Sequence, residues 1–502
     1  MASLGAYARL IGAGWTLVRN DALLPRELDG LYSSGVRTLS RVLRLFAGGR
    51  ATAGRPGERL ARSLERLGPV AIKLGQLLST RADIFGRQFA EDLSHLKDRL
   101  APFPTELALA TVAHELGKPV EAVFSSFGGP VAAASLAQAH EATLRDGRRV
   151  AVKVLRPAIE RRVAADSAVL ALAARLVERW APPARRLEPR KFADTVMRAT
   201  ELELDLRLEA AGADELGEVM AQDGYMSAPT VVWEGVGKRV LTMEWAGGLP
   251  LSQEGALAQP DLDRPALADN LTRALLAQAL DHGVFHADLH EGNLFVAPPA
   301  RLTAVDFGII GRLGATERRY LAEILWGFLQ RDYERVARVH FEAGYVPATH
   351  SVSAFAQALR AVGEPVFGRT ASEVAMSRVL TQLFEITALF DMRLRPELVL
   401  LQKTMMTVEG VARRIDPDHD IWAASEPVVR RWIARELSPA TRVRRFAGDA
   451  EAAIRNLARL TEDRPAAQAI AVAEAPRTGG LLWFALGALV SGAAFLAGLL
   501  LR

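Results

Sequence analysis

The chain has 502 residues, of which 50% are hydrophobic and 24% charged, with a formal net charge of +4. That length and balance describe a globular protein of about two or three domains with a large core and exclude a disordered chain. It contains no cysteine, which excludes disulfides, thiolate metal sites, iron–sulfur clusters and thiol catalysis.

Residues 1–65 read as a basic helical region, with loop signals at Gly48-Gly49 and Arg55-Pro56-Gly57. The apolar stretch from Leu4 to Val18 is interrupted by Arg9 and followed by Arg19-Asn20-Asp21, without a clear small-residue cleavage site. An amphipathic surface helix is therefore expected there in place of a secretory signal. Arg37, Arg41, Arg44, Arg50, Arg55, Arg59, Arg62 and Arg66 make a basic run, and Arg442, Arg444 and Arg445 make a second. Neither is interleaved with aromatics or accompanied by a nucleic-acid motif, so no nucleic-acid partner is expected. An anionic, cardiolipin-like lipid surface is the expected partner, with a plain solvated helix face as the alternative.

Residues 66–126 form a helical extension broken at Gly68-Pro69, Pro102 and Pro104. Within it Lys73 and Gln76 share one side of a helix, while Leu74, Leu77 and Leu78 form an apolar side. The pattern changes at Phe127-Gly128-Gly129-Pro130, and residues 127–247 read as a small β-rich lobe. Strands from Ala132 to Lys153 flank a hairpin turn at Arg145-Asp146-Gly147. Val150-Ala151-Val152-Lys153 ends an apolar strand on a lysine, a residue rarely placed there for packing. One long helical stretch is expected from Pro157 to about Met220, placing Glu201, Asp205 and Glu209 at i, i+4 and i+8 on a single face. Like charges at that spacing repel, so the stripe is either solvated or matched by lysines such as Lys153 and Lys73. Strands return at Thr230–Trp233 and Arg239–Trp245.

Residues 248–461 read as a helical lobe interrupted by one chemically dense segment. It runs Phe285-His286-Ala287-Asp288-Leu289-His290-Glu291-Gly292-Asn293, with Asp306-Phe307-Gly308 following. An Asp, an Asn five residues on and then Asp-Phe-Gly is the spacing of a kinase-type phosphoryl-transfer site. Asp288 is expected to face the attacking hydroxyl or water. Asn293 and Asp306 are expected to hold Mg²⁺ on the phosphates of ATP. His286 and His290 also make an H-x-x-x-H pair, but no third-ligand motif supports zinc; His286 is expected to orient the loop from within. Only Ile309 to Gly314 separate this segment from a helix beginning near Thr316, and no Ala-Pro-Glu follows. A long activation loop for docking peptides has no room.

A Pro/Ala-rich linker at 462–478 leads to the uninterrupted apolar run 479–501. At ~1.5 Å per residue that run spans a hydrocarbon core of ~30 Å. A C-terminal transmembrane helix is expected, with the body in the cytoplasm. The fold class so read is α+β: a protein-kinase-like two-lobed fold with a helical N-terminal extension and a membrane-spanning tail.

Taken together, these motifs resemble the UbiB family of atypical kinase-like proteins tied to ubiquinone (coenzyme Q) biosynthesis. The matching elements are Lys73-x-Gly75-Gln76, the Ala-rich loop Ala132 to His140, Glu203-x-Asp205 with Glu209, the His286–Asn293 segment and Asp306-Phe307-Gly308; a hinge-like Leu241-Thr242-Met243-Glu244-Trp245 fits too. The resemblance implies that Lys153 pairs with Glu209 and contacts ATP, and that Asp288 takes the catalytic-base position. It implies that Asn293 and Asp306 bind Mg²⁺. It places ATP against Val131, Ala132, Ala133, Ala134, Ser135, Leu136, Ala137, Gln138 and Ala139, and against Glu244 and Ala246 at the hinge. It further implies that Lys73 and Gln76 fold over the cleft as regulatory residues and engage Glu203 and Asp205, giving an ATPase in place of a protein kinase. Implied partners are membrane lipids of the bacterial inner membrane, quinone precursors and other ubiquinone-biosynthesis enzymes. A small-molecule or lipid kinase and an ATP-binding scaffold are the competing functions. Glu291, where many members carry proline, and a single tail span instead of a pair depart from the family pattern. The first bears on metal affinity and the second leaves the tail's topology open.

Overall fold

A computed structural model describes residues 4–23, 34–47, 53–79, 87–94, 101–180, 188–365 and 396–436, together with 96, 185, 382, 385, 386 and 389–392. The expected linker, the apolar tail and the second arginine cluster lie outside these residues. Among the described residues no helix is long and apolar enough to cross a membrane.

The N-terminal region is helical: α1 (Leu4–Arg19), α2 (Ser34–Arg44), α3 (Pro56–Leu67), α4 (Pro69–Ser79), α5 (Arg87–Ser94) and α6 (Thr105–Leu116). Gly68, at φ 109°, ends α3, and Pro69 opens α4. The small lobe follows as four antiparallel strands in sequence order: β1 (Phe124–Ala133), β2 (Ala137–Leu144), β3 (Arg149–Leu155) and β4 (Val240–Glu244). Alternation in β3 assigns its two faces. Val150, Val152 and Val154 pack with Phe124, Ala142 and Val240 on Ala108 and Val112 of α6. Lys153 stands opposite Ala139 of β2 and Leu241 of β4, so it emerges on the other face, beside the main core. β1 is irregular around Gly128-Gly129-Pro130, where its register against β2 shifts.

The stretch expected as one helix is three: α7 (Ile159–Trp180), α8 (Pro189–Leu202) and α9 (Leu206–Asp223). Pro189 starts α8 at a position where its missing N–H costs nothing. Asp205 starts α9 by accepting from the Arg207 backbone N–H at 3.2 Å. A capping aspartate cannot also sit mid-helix, so Glu201, Asp205 and Glu209 do not share a face. Of the expected strand Thr230–Trp233, only Val231 bridges Met243 before a 3₁₀ turn at Trp233–Gly235.

The large lobe is built on α10 (Arg264–Ala277), whose side chains are largely buried. It continues into a π-helical turn, Gln278–His282. Two small antiparallel sheets carry the functional segment: β5 (Leu249–Pro250), β7 (Leu294–Ala297) and β8 (Arg301–Ala304) in the order β5-β7-β8, and β6 (Val284–His286) with β9 (Ile310–Arg312). The helices α11 (Ala315–Leu329), α12 (Tyr333–Glu342), α13 (Val352–Gly363), α14 (Pro396–Ile415) and α15 (Ile421–Glu436) complete it. From Asp306 the chain passes through Phe307, Gly308 and Ile309 directly into β9 and then α11. The short connection expected from the sequence is observed, with no long activation segment.

Candidate active site

Lys153, Glu209 and Asp306 converge from three elements. The Lys153 ammonium lies 2.7 Å from Glu209 Oε1 and 3.4 Å from Asp306 Oδ1. Glu209 reaches it from the first turn of α9, whose start is set by the Asp205 cap. Asp306 has φ 64°, a left-handed conformation that aspartate tolerates better than most residues. Its Oδ1 accepts from the Gly308 N–H at 3.3 Å. Burial opposes the Lys153 ammonium, but Asp306 and Glu209 outweigh it and raise its pKa. The Lys153 charge, against the opposing effect of burial, brings Asp306 down to about 2 and keeps it ionised. Burial, with Asp306 adding repulsion, pushes Glu209 up to about 7 despite Lys153. That value exceeds the ~4.3 of an unfolded glutamate, so the fold favours the protonated side chain. Glu209's contribution to stability is present below about pH 4.3 and is lost as pH rises through 7. Glu209→Gln, neutral throughout, is expected to flatten the fall in Tm between about pH 5 and 8; thermal unfolding across that range checks it.

The loop from His286 to Asn293 is fixed by hydrogen bonds on every side. His286 is fully buried. Its N–H donates to Gln278 Oε1 at 3.0 Å, its Nδ1 accepts from the Asp288 N–H at 3.1 Å, and its ring lies 5.2 Å from Phe307. Burial pushes this imidazole down, toward the neutral form that such acceptance requires. The π turn places Gln278 to meet it. Asn293 Nδ2 donates to the Asp288 carbonyl at 3.0 Å, which leaves Oδ1 as the amide atom with acceptor capacity for a cation. His290 Nδ1 accepts from Gly292 N–H at 3.0 Å. Both histidines thus spend Nδ1 on backbone, and no group of three His, Asp or Glu suited to a metal occurs among the described residues. The donor set is one amide and one ionised carboxylate. It fits Mg²⁺, which takes few protein ligands and completes its shell with water and phosphate oxygens, and it does not fit zinc.

The Ala-rich segment divides between roles. Val131, Ala132 and Ala133 end β1, Ala134, Ser135 and Leu136 make the turn, and Ala137, Gln138 and Ala139 open β2. The turn is closed by Ala134 N–H to Ala137 O at 2.8 Å and held by Arg156 Nε to Ala134 O at 2.9 Å. Ala137 and Ala139 lie on the Lys153 face. Gln138 lies on the opposite face, buried, exchanging hydrogen bonds with the Phe103 backbone and lying 2.8 Å from His140 Nε2. Its side chain therefore braces the turn from behind. Glu244 ends β4 and pairs its carboxylate with Arg148 at 3.0 Å, and Ala246 follows in the connecting loop. Any contact of Glu244 with a ligand in the cleft falls to its backbone.

Lys73 of α4 forms an ion pair with Glu203, just beyond α8, and Gln76 sits half-buried one turn on. Asp205 is not part of that contact: it forms an ion pair with Arg207 at 2.6 Å while capping α9. The expected joint engagement of Glu203 and Asp205 by Lys73 is corrected accordingly. Glu291, expected to add negative charge beside the metal site, pairs with Arg414 of α14, which offsets that charge.

The profile of the ABC1 atypical kinase-like domain matches residues 95–340, and that of the UbiB helical domain matches residues 359–420. The chain is 39% identical over 395 residues to a Pseudomonas paraeruginosa protein named "Probable protein kinase UbiB", covering 78% of this chain and 74% of that one. The chain belongs to the UbiB family. A Marinobacter nauticus protein of the same name is also 39% identical, over 76% of this chain and 71% of its own. Among solved structures, the Rv3197–erythromycin complex from Mycobacterium tuberculosis shares 24% identity at a TM-score of 0.52, covering 79% of this chain and 98% of that one. That last likeness is one of fold.

Within this UbiB-family chain, three supports of the site carry no local sequence signal. The Thr404 hydroxyl of α14 shares its one proton between the Ala287 carbonyl at 3.1 Å and its own helix's Leu400 carbonyl at 2.9 Å, Gln278 braces His286, and Arg414 answers Glu291. Thr404→Val keeps the volume and removes the hydroxyl. It is expected to cost about 1 kcal/mol and to lower turnover several-fold by loosening Ala287-Asp288. Steady-state kinetics together with a denaturation midpoint check both parts.

Proposed function

We propose that this UbiB-family protein hydrolyses Mg-ATP and couples hydrolysis to the handling of lipid-bound quinone intermediates in ubiquinone biosynthesis at the bacterial inner membrane, anchored there by its apolar tail. The observation that carries the phosphoryl-transfer part is the junction of Lys153, Glu209 and Asp306, with Asn293 tied to the Asp288 carbonyl. Asn293 and Asp306 would hold Mg²⁺, which would supply positive charge to the phosphate oxygens. Lys153 contributes an ammonium that its carboxylate partners hold in place. With the Ala134 N–H committed to Ala137 O, the backbone N–H groups for the phosphates come from Ser135 and Leu136 at the tip of the Ala134–Leu136 turn. Asp288 accepts a proton from the attacking water as its oxygen bonds to the γ-phosphorus, and the bond from that phosphorus to the bridging oxygen breaks to release ADP and phosphate. The missing peptide platform between Asp306 and α11 favours water over a protein hydroxyl as acceptor.

The test is phosphate release from purified protein with Mg-ATP, with and without anionic liposomes carrying a phenolic quinone precursor. Stimulated release with no labelled acceptor supports the ATPase. Transfer of label from γ-labelled ATP to a lipid or small molecule overturns hydrolysis in favour of a kinase. Tight nucleotide binding with neither signal leaves only a scaffold.

A further inference from the structure

A helix on a protein surface normally turns its polar face to water; α1 does not. Ala6 and Val18 are buried where α1 packs on α3 and α7. Along the same helix Tyr7, Ile11 and Trp15, at i, i+4 and i+8, form a stripe exposed at 49%, 73% and 46%. The end of α2 and the residues after it add Val42, Leu45 and Phe46, exposed at 49%, 81% and 52%. The Trp15 and Phe46 rings lie 5.4 Å apart and join the two stripes into one surface. This surface is held outward by buried polar contacts. Asn20 Nδ2 donates to Ser63 Oγ at 2.9 Å, and Arg59, 1% exposed, donates Nε to the Asp21 carbonyl at 3.2 Å, which fastens the end of α1 to α3.

Charge identifies the occupant. Neither α1 nor α2 contains an Asp or Glu; Arg9 pairs with Asp166 of α7 at 3.4 Å, while Arg19 and Arg41 are exposed on them. A second copy meeting this face across a two-fold axis brings the same arginines against one another. A membrane of anionic lipid does the opposite: its phosphates accept the arginines, and Tyr, Trp and Phe suit the boundary between headgroups and acyl chains. We propose that α1 and the end of α2 form a bilayer-docking face that seats in the interface of an anionic membrane, with Ile11 and Leu45 inserted below the headgroups. It rests on these side chains alone and does not depend on the nucleotide site or on the apolar tail.

The absence of cysteine gives a site-specific test. Ile11→Cys and Leu45→Cys, each carrying an environment-sensitive NBD probe, are compared in full-length protein reconstituted into phosphatidylcholine vesicles and into vesicles of equal parts phosphatidylcholine and phosphatidylglycerol. Arg190→Cys, an exposed position in the first turn of α8, serves as control. The expected result is a several-fold rise and blue shift at positions 11 and 45 in the anionic vesicles, quenched by a doxyl-labelled lipid, with no change at 190. Probes at 11 and 45 that stay in water while the protein sits in the vesicles overturn the proposal. So does a shift already present without lipid: if it grows with protein concentration it means a second copy, and if not, the chain's own tail.

Discussion

Asp306→Asn is expected to abolish Mg-ATP turnover, lowering phosphate release by about a thousandfold or more, while leaving the fold intact. The size follows from losing a preorganised charge at the place where phosphoryl-transfer charge is balanced; single electrostatic contacts of that kind carry about a hundred- to a thousandfold, and a metal ligand adds to it. The fold survives for three reasons. Asparagine tolerates the positive φ of this position, it keeps an oxygen to accept the Gly308 N–H, and it leaves Lys153 paired with Glu209. The last point makes this substitution a cleaner probe than Lys153→Ala, which leaves Glu209 and Asp306 as two acidic side chains with no cation between them. Asp288→Asn is expected to lose about a hundred- to ten-thousandfold, the usual contribution of a positioned general base, with ATP affinity unchanged. Phosphate release and nucleotide binding measured on both variants separate the two roles. Turnover near wild type in Asp306→Asn overturns the assignment of the metal site.

How far the sequence disclosed this arrangement depends on distance along the chain. The segments 286–293 and 306–308 were legible because their chemistry is written in consecutive residues. Lys153 was legible because a lysine closing a valine strand needs a reason. The helix break at 203–205 was not. Leu204 and Leu206 are buried while Leu202 and Leu208 are more than half exposed, because the chain turns between them. An aspartate reads equally as a cap or as part of an acidic stripe until its N–H donor is known. Gln138 shows a related limit: its place in the Ala-rich segment suggested a ligand contact, but strand alternation sends its side chain to the rear, onto the Phe103 backbone. Thr404 and Arg414 reach the catalytic segment from more than a hundred residues away, a pairing that periodicity does not encode.

Lys73→Ala is expected to destabilise the packing of the N-terminal helices by about 3 kcal/mol, because it strands the Glu203 carboxylate. Burial already raises the Glu203 pKa even with Lys73 beside it, and Asp306 adds further repulsion. A raised carboxylate pKa means that the protonated form is the one the fold favours. Its contribution is present below the unfolded value of ~4.3 and is lost as pH rises through the folded value. Removing Lys73 removes the main opposing attraction, so the folded pKa climbs further and the loss on raising pH grows. The deficit of Lys73→Ala relative to wild type is therefore expected to be larger at pH 8 than at pH 5. Denaturant titrations at the two pH values measure it. The pair itself is isolated by a double-mutant cycle with Glu203→Gln. Glu203→Gln alone is expected to cost less than Lys73→Ala, since an amide needs no counter-charge, and the double variant is expected to recover most of the loss. A deficit independent of pH and unrelieved by Glu203→Gln would mean that Lys73 acts through its methylene packing on α8 and not through its charge. Because α4 lies against α8, which ends beside Glu203 and the start of α9, the same variants are expected to loosen the first turn of α9 that carries Glu209. A rise in the KM for ATP in Lys73→Ala that Glu203→Gln reverses ties the extension to the nucleotide site through this one ion pair.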